Sequence, residues 1–194
     1  MKALKEREHK VIYKDGDKVV KVFDETFSKA DVLNEALNMA RIEETGLRIP
    51  KLLNVSKVDG KWAITREYIE GTPLSQLMAQ HPEKQDEYLN TFVDIQLEIL
   101  GKTCPHLNKI KDKMHAKISA SDYEATLRYD LHNRLEGMKP HKKVLHGDYC
   151  PSNVIVTPDG QYYIIDWAHA TQGNASADAA RTYLTFTLSG QSDV

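Results

Sequence analysis

The densest run of reactive side chains in the 194-residue chain is His146-Gly147-Asp148-Tyr149-Cys150-Pro151-Ser152-Asn153. Asp148 and Asn153 flank a tight loop, and Asp166 follows the apolar run Tyr162-Tyr163-Ile164-Ile165. A carboxylate at the end of a buried strand is costly unless it is paired or binds a cation. Oxygen-bearing side chains gathered in this way suit a hard cation such as Mg2+. A carboxylate not used on the metal can accept a proton from a hydroxyl, a role worth roughly 10²–10⁴-fold in rate. Single Asp and Asn residues are common in turns, and Pro151-Ser152-Asn153 alone reads as a loop. The ordered spacing H-x-D-x-x-x-x-N, then a hairpin, then an Asp, lifts the set above that background.

A second constellation lies near the N-terminus. Lys21 interrupts the apolar strand Val19 to Phe23, and alternation puts it on the same face as Val19 and Phe23. An inward Lys on a central strand needs an anionic partner, and Glu35 on the following helix can supply it. Alone, the Lys reads as a solvated residue on an edge strand. Beside the downstream loop, whose spacing is that of the kinase catalytic loop, the two read as a pair that holds nucleotide phosphates.

The elements that must position these residues are legible in outline. Val11-Ile12-Tyr13 and Val19 to Phe23 form a hairpin around the turn Lys14-Asp15-Gly16-Asp17. A helix is predicted from about Ser28 to Glu44, with Leu33, Ala36, Leu37 and Ala40 on one stripe and Gly46 as its stop. Strands follow over Ile49 to Val55 and Lys61 to Ile69. At Glu70-Gly71-Thr72-Pro73 the chain turns, with Thr72 as candidate N-cap and Pro73 in the first helical turn.

The middle is helical, with Leu89, Phe92, Val93, Gln96, Leu97 and Leu100 at helix spacing, and Leu127, Leu131 and Leu135 on one face of a second helix. Asn153 to Val156 and Gln161 to Ile165 make another hairpin, and Ala175 to Leu188 a last helix. The expected fold class is α+β in two lobes. Residues 1–70 form a sheet-plus-helix lobe, and residues 71–194 a mainly helical lobe with the loop and hairpin.

Composition sets the outer limits. With 41% hydrophobic and 28% charged residues, the chain is neither disordered nor low in complexity. A net charge of −2 gives no basic footprint, so no nucleic-acid partner is expected. Cys104 and Cys150 cannot make a disulfide framework and are expected as reduced thiols. The N-terminus lacks an apolar signal core, and no apolar run reaches the ~20 residues of a membrane span. The expectation is a cytoplasmic protein without a membrane partner.

Together, Lys21, Glu35, Arg66-Glu67-Tyr68-Ile69-Glu70-Gly71, His146-Gly147-Asp148, Asn153 and Asp166-Trp167 resemble the aminoglycoside phosphotransferase and choline kinase family. The resemblance runs from about Val11 to Leu184. It is most specific over Val144 to Tyr183, where Gly173 and Ala177-Asp178-Ala179-Ala180-Arg181 also match. It implies a compact protein-kinase-like fold with a shortened C-terminal helical part. It further implies ATP and Mg2+ as cofactors and a small-molecule hydroxyl acceptor.

In that likeness Asp148 is the catalytic base or orienter, and Asn153 and Asp166 are the magnesium ligands. Lys21 touches the α- and β-phosphates, positioned by Glu35. The backbone of Glu67 and Ile69 meets the adenine edge. His146 braces the loop and Asp178 anchors it.

The chain departs from the family in two places. Lys5 to Tyr13, where a phosphate-covering loop is usually rich in glycine and serine, contains no glycine. Only 28 residues follow Asp166, so the acceptor pocket is expected to come from residues 72–136 and the final helix. Residues 83–136 hold ten acidic and eight basic residues, a balance that does not select a polycationic acceptor. Two other readings stay open. One is a nucleotide-binding pseudokinase or regulatory module without turnover. The other is a metal-dependent phosphohydrolase built on His146, Asp148, Asp166 and His169.

Overall fold

A computed structural model describes residues 2–7 and 9–188. Strands β1 (Lys2–Arg7), β2 (Lys10–Asp15), β3 (Lys18–Phe23), β4 (Leu52–Val58) and β5 (Lys61–Glu67) form an antiparallel sheet in the order β1-β2-β3-β5-β4. The predicted hairpin is β2–β3, closed at Gly16, whose φ of +61° favours glycine. β1 is an addition to the sequence reading. Its Lys-rich sequence, KALKER, lacks the β-branched signal of an interior strand and suits a sheet edge.

Helix α1 (Lys29–Glu43) starts with a capping box: the Ser28 hydroxyl accepts from the Asp31 N–H, and the Asp31 carboxylate accepts from the Ser28 N–H. Its inner face differs from the expected stripe. Val32, Glu35, Ala36, Asn38, Met39 and Ile42 are buried, whereas Leu33 and Leu37 are exposed at 42% and 48%. The inward stripe is Val32, Ala36, Met39 and Ile42, with the polar Glu35 and Asn38 buried beside it.

Further strands and helices follow. They are β6 (Thr72–Pro73), α2 (Leu74–Gln80), α3 (Gln85–Gly101), α4 (Ile110–Ser119), α5 (Ala125–Gly137), β7 (Lys143–Leu145), β8 (Val154–Val156), β9 (Tyr162–Ile164), β10 (Thr171–Gly173) and α6 (Ala175–Leu188). Thr72 is not a helix cap: it pairs with Val156 in a sheet of order β6-β8-β9, and Pro73 takes the cap position of α2 without a side-chain bond. On α3 the buried residues are Phe92, Ile95 and Ile99, while Val93 and Leu97 face outward. On α5 only Leu135 of the expected leucine face is buried, and Leu127 is exposed.

The chain divides into two compact units, Met1–Phe92 with Cys150–Ala168, and Val93–Tyr149 with His169–Val194. The first holds the five-stranded sheet, α1, α2 and the β6-β8-β9 sheet, around a core that includes Val19, Phe23, Ile42, Ile64, Leu74 and Ile164. The second holds the β10–β7 pair with α4, α5 and α6, around Ile95, Ile99, Val144 and Leu145. Among the described residues, no helix is long and apolar enough to cross a membrane.

Candidate functional site

Lys21 stands on a central strand with β2 on one side and β5 on the other. Its ammonium is buried, and it donates to Glu35 Oε1 at 2.6 Å and to Asp166 Oδ1 at 3.0 Å. One cation thus holds two carboxylates, one from α1 and one from the turn after β9. The cluster lines a cavity of about 400 Å³ in the first unit. The walls bring Leu4, Ile12 and Val19 from the sheet and Ile155 and Ile165 from the hairpin region, with Tyr68 and Ile69 between them in sequence. Asn153 also lines this cavity. A mainly apolar cavity of this volume with a few charged groups among its walls falls in the range of small-molecule sites.

Asp166 carries backbone strain. Its φ of +68° lies in the left-handed region that costs a non-glycine residue about 1 kcal/mol or more. The surroundings hold it there. The Trp167 indole N–H donates to the Ile164 carbonyl at 3.1 Å, and Asn38 Nδ2 donates to the carbonyls of Trp167 and Ala168 at 3.3 and 3.4 Å. Asn153, in a short 3-10 turn Pro151–Asn153, accepts at its carbonyl from the Ile165 N–H at 2.9 Å. The chain therefore ties Asn153 directly to the segment that presents Asp166.

These are two oxygen donors facing one cavity, a donor set that fits Mg2+, which takes few protein ligands and completes its shell with water and phosphate oxygens. It does not resemble a binuclear hydrolase site. Among the described residues no three His, Cys, Asp or Glu side chains are grouped to hold a metal ion.

The second unit contains the other residues singled out from sequence. His146 is fully buried, and its Nδ1 accepts from the Asp148 N–H at 3.2 Å, which leaves the proton of the neutral ring on Nε2. Its ring meets Tyr149 edge to face at 5.9 Å. The Asp178 carboxylate, 2% exposed, accepts from the N–H groups of His146 at 3.2 Å and Gly147 at 2.7 Å. Gly147 is obligatory: its φ is +76°, and a Cβ there would lie 2.5 Å from the His169 carbonyl oxygen. Asp148 is half-buried, on a loop whose backbone is fixed on both sides.

Removing the Asp178 carboxylate strands two N–H groups, each worth about 1–3 kcal/mol when buried and unpaired. Asp178→Ala is expected to lower the melting temperature by several degrees, and Asp178→Asn, which keeps one acceptor oxygen, by less. Thermal denaturation of the three proteins checks this.

Lys21, Glu35, Asn153, Asp166 and Ile69 therefore share one cavity in the first unit. Glu67 is placed differently. Its N–H donates to the Lys51 carbonyl at 3.0 Å and its Oε2 accepts from the Lys51 N–H at 3.1 Å, so both are spent on the sheet edge. Any base contact from Glu67 falls to its carbonyl. His146, Asp148 and Asp178 belong to the second unit, whose chain passes into the first at Cys150.

Arg66 was not given a role in the sequence reading, although it lines the same cavity. The pairing of Val19 with Arg66 and of Lys21 with Ile64 puts both basic side chains on one face of the sheet. The signal was present in the alternation Ile64-Thr65-Arg66.

Comparison with known proteins places this geometry. No curated protein matches the chain by sequence. Solved structures do. Choline kinase LicA from Streptococcus pneumoniae is 19% identical with a TM-score of 0.58, covering 92% of this chain and 66% of its own. An aminoglycoside-3'-phosphotransferase of type VIII is 17% identical with a TM-score of 0.62, covering 91% and 72%. A thermostable mutant of aminoglycoside phosphotransferase APH(4)-Ia, in ternary complex with AMP-PNP and hygromycin B, is 16% identical with a TM-score of 0.66, covering 92% and 70%. The chain thus spans about two thirds of the length of the structures it matches. It has their α+β, protein-kinase-like fold in a shortened form. The family model described as the phosphotransferase enzyme family matches residues 6–193. The chain belongs to that family.

Proposed function

We propose that this protein transfers the γ-phosphoryl group of ATP to a hydroxyl group of a small molecule. The observation that carries the reading is the buried Lys21–Glu35–Asp166 cluster, with one ammonium bridging two carboxylates in a cavity of small-molecule size. The membership in the phosphotransferase family supports it, as does the likeness to a structure that binds an ATP analogue and an aminoglycoside.

In this reading residues 1–70 serve as the nucleotide lobe, and residues 71–194 supply the loop and the acceptor pocket. Lys21 contacts the α- and β-phosphates, with Glu35 fixing its ammonium. The base lies between the apolar walls, its edge toward the backbone of Glu67 and Ile69. Asn153 and Asp166 hold Mg2+, which when bound neutralises charge on the phosphates. Asp148 accepts the proton of the acceptor hydroxyl as its oxygen bonds to the γ-phosphorus. The bridging bond to the β-phosphate breaks, and ADP leaves with that electron pair. His146 and Asp178 position the loop by holding its backbone. Positioning and charge neutralisation account for most of the catalysis in such transfers. A cytoplasmic setting, which supplies ATP and Mg2+, agrees with Cys104 and Cys150 being outside any disulfide.

The test is phosphoryl transfer from γ-labelled ATP with Mg2+ to a panel of aminoglycosides, amino alcohols such as choline, and sugars. Label is expected on one acceptor class, with stoichiometric ADP. Nucleotide binding with no label transfer and no ADP would instead favour a module without turnover. The glycine-free connection between β1 and β2 is the feature that motivates this second reading.

A further inference from the structure

The cavity contains a second cation that the proposed function does not use. Arg66 lies near the end of β5 and pairs with Val19, one pleat along from the pairing of Lys21 with Ile64. Residues at such diagonal positions on one sheet face are about 7–8 Å apart, within reach for long side chains. Arg66 and Lys21 both line the cavity. The guanidinium is half-buried and feels the same two carboxylates as Lys21: burial pulls its pKa down, and the charges of Asp166 and then Glu35 push it up. It remains protonated. Among the described residues Lys21 forms ion pairs with both carboxylates, Glu35 and Asp166, and Arg66 forms one with neither.

The charge balance gives this arrangement a consequence. Without ligand, two cations face two carboxylates. When a divalent ion engages Asp166, Lys21 keeps Glu35 as its partner, and Arg66 has no carboxylate in contact. A guanidinium in that position presents a planar fork of donors that matches two oxygens of a phosphate group. The chain also has a need for it, because the glycine-free segment Lys5 to Tyr13 provides no glycine to bring the backbone close to phosphates.

We propose that Arg66 is a second polyphosphate-binding residue, acting beside Lys21 and taking over part of the grip that a glycine-rich loop would provide. The inference rests on the nucleotide reading of the cavity. It adds a specificity consequence: the site discriminates by phosphate charge more than by the base.

The experiment measures calorimetric affinities of Mg2+–ATP, Mg2+–ADP and adenosine for the wild type, Arg66→Met and Arg66→Lys, at two salt concentrations. Arg66→Met is expected to weaken ATP and ADP by about 10- to 100-fold, the weight of one charge-assisted bidentate contact, and to leave adenosine unchanged. The dependence of ATP affinity on salt should fall in the same variant. Arg66→Lys should recover part of the loss, and because it keeps the charge it guards against a failure of Arg66→Met to fold. Equal loss of adenosine and ATP would make Arg66 a wall for the base and overturn the proposal. So would unchanged affinities, or a change confined to the ratio of ATP to GTP binding. Absence of nucleotide binding by the wild type itself would refute the nucleotide reading, and the role of Arg66 with it.

Discussion

Asp148→Asn is expected to reduce turnover by roughly 10²–10⁴-fold, the contribution of a positioned general base, while leaving the affinity for Mg2+–ATP within about twofold of wild type. The substitution keeps the side chain's size and removes its ability to take a proton. It leaves in place three bonds that hold the loop through backbone N–H groups. The Asp148 N–H donates to His146, and the N–H groups of His146 and Gly147 donate to Asp178. Steady-state turnover beside thermal denaturation separates the two effects. A loss of activity that tracks a fall in melting temperature, or full activity in the variant, would remove Asp148 from the chemistry.

The second large effect is on Lys21. Lys21 is 8% exposed, and its ammonium is the shared partner of Glu35, itself 5% exposed, and of Asp166. Lys21→Met fills the same space with an apolar chain and leaves a buried carboxylate without its cation. Breaking one side of a buried ion pair costs about 3–5 kcal/mol. That is a large share of the 5–15 kcal/mol by which a typical domain is stable. The double variant Lys21→Met with Glu35→Gln should recover much of the stability, since it removes the stranded charge, and should stay inactive. Denaturant titration of the wild type, both single variants and the double variant gives the coupling directly. Additive losses would mean that the two side chains do not interact as the 2.6 Å contact requires.

The parts of this molecule that could be read from its residues are those with local signals. The β2–β3 hairpin announces itself by β-branched residues around a glycine turn. α1 does so by its start near Ser28 and the Gly46 stop, and α6 begins where its sequence suggests, at Ala175. Lys21 and Glu35 were also legible as a pair, because a charge in an apolar strand demands an opposite charge nearby.

The inward faces of helices were less legible. On α1 the apolar stripe of Leu33 and Leu37 is exposed, while Glu35 and Asn38 are buried. The helix is rotated to bring a carboxylate to Lys21 and an amide to the backbone after Asp166. Val32, Ala36, Met39 and Ile42 have helix spacing as well as Leu33 and Leu37, and periodicity alone does not choose between the two stripes. α3 shows the same effect, with Ile95 and Ile99 inside and Leu97 outside. The left-handed conformation of Asp166 has no sequence signal at all, since it is imposed by Trp167, Asn38 and Lys21, which lie close in space. Arg66 went unassigned for a different reason: its meaning depends on which strand it pairs with, and that is fixed only by the β3–β5 register.

The proposed nucleotide site depends on a metal ion at Asp166. Its most direct test is calorimetric titration of Mg2+–ATP into the wild type and Asp166→Asn. Asn tolerates the left-handed backbone that Asp166 adopts, so the variant removes the charge with little added strain. The wild type should bind Mg2+–ATP and the variant should bind it at least tenfold more weakly, with the difference vanishing when Mg2+ is withheld. Equal binding by the two proteins, or a difference that persists without Mg2+, would contradict a metal site at Asp166.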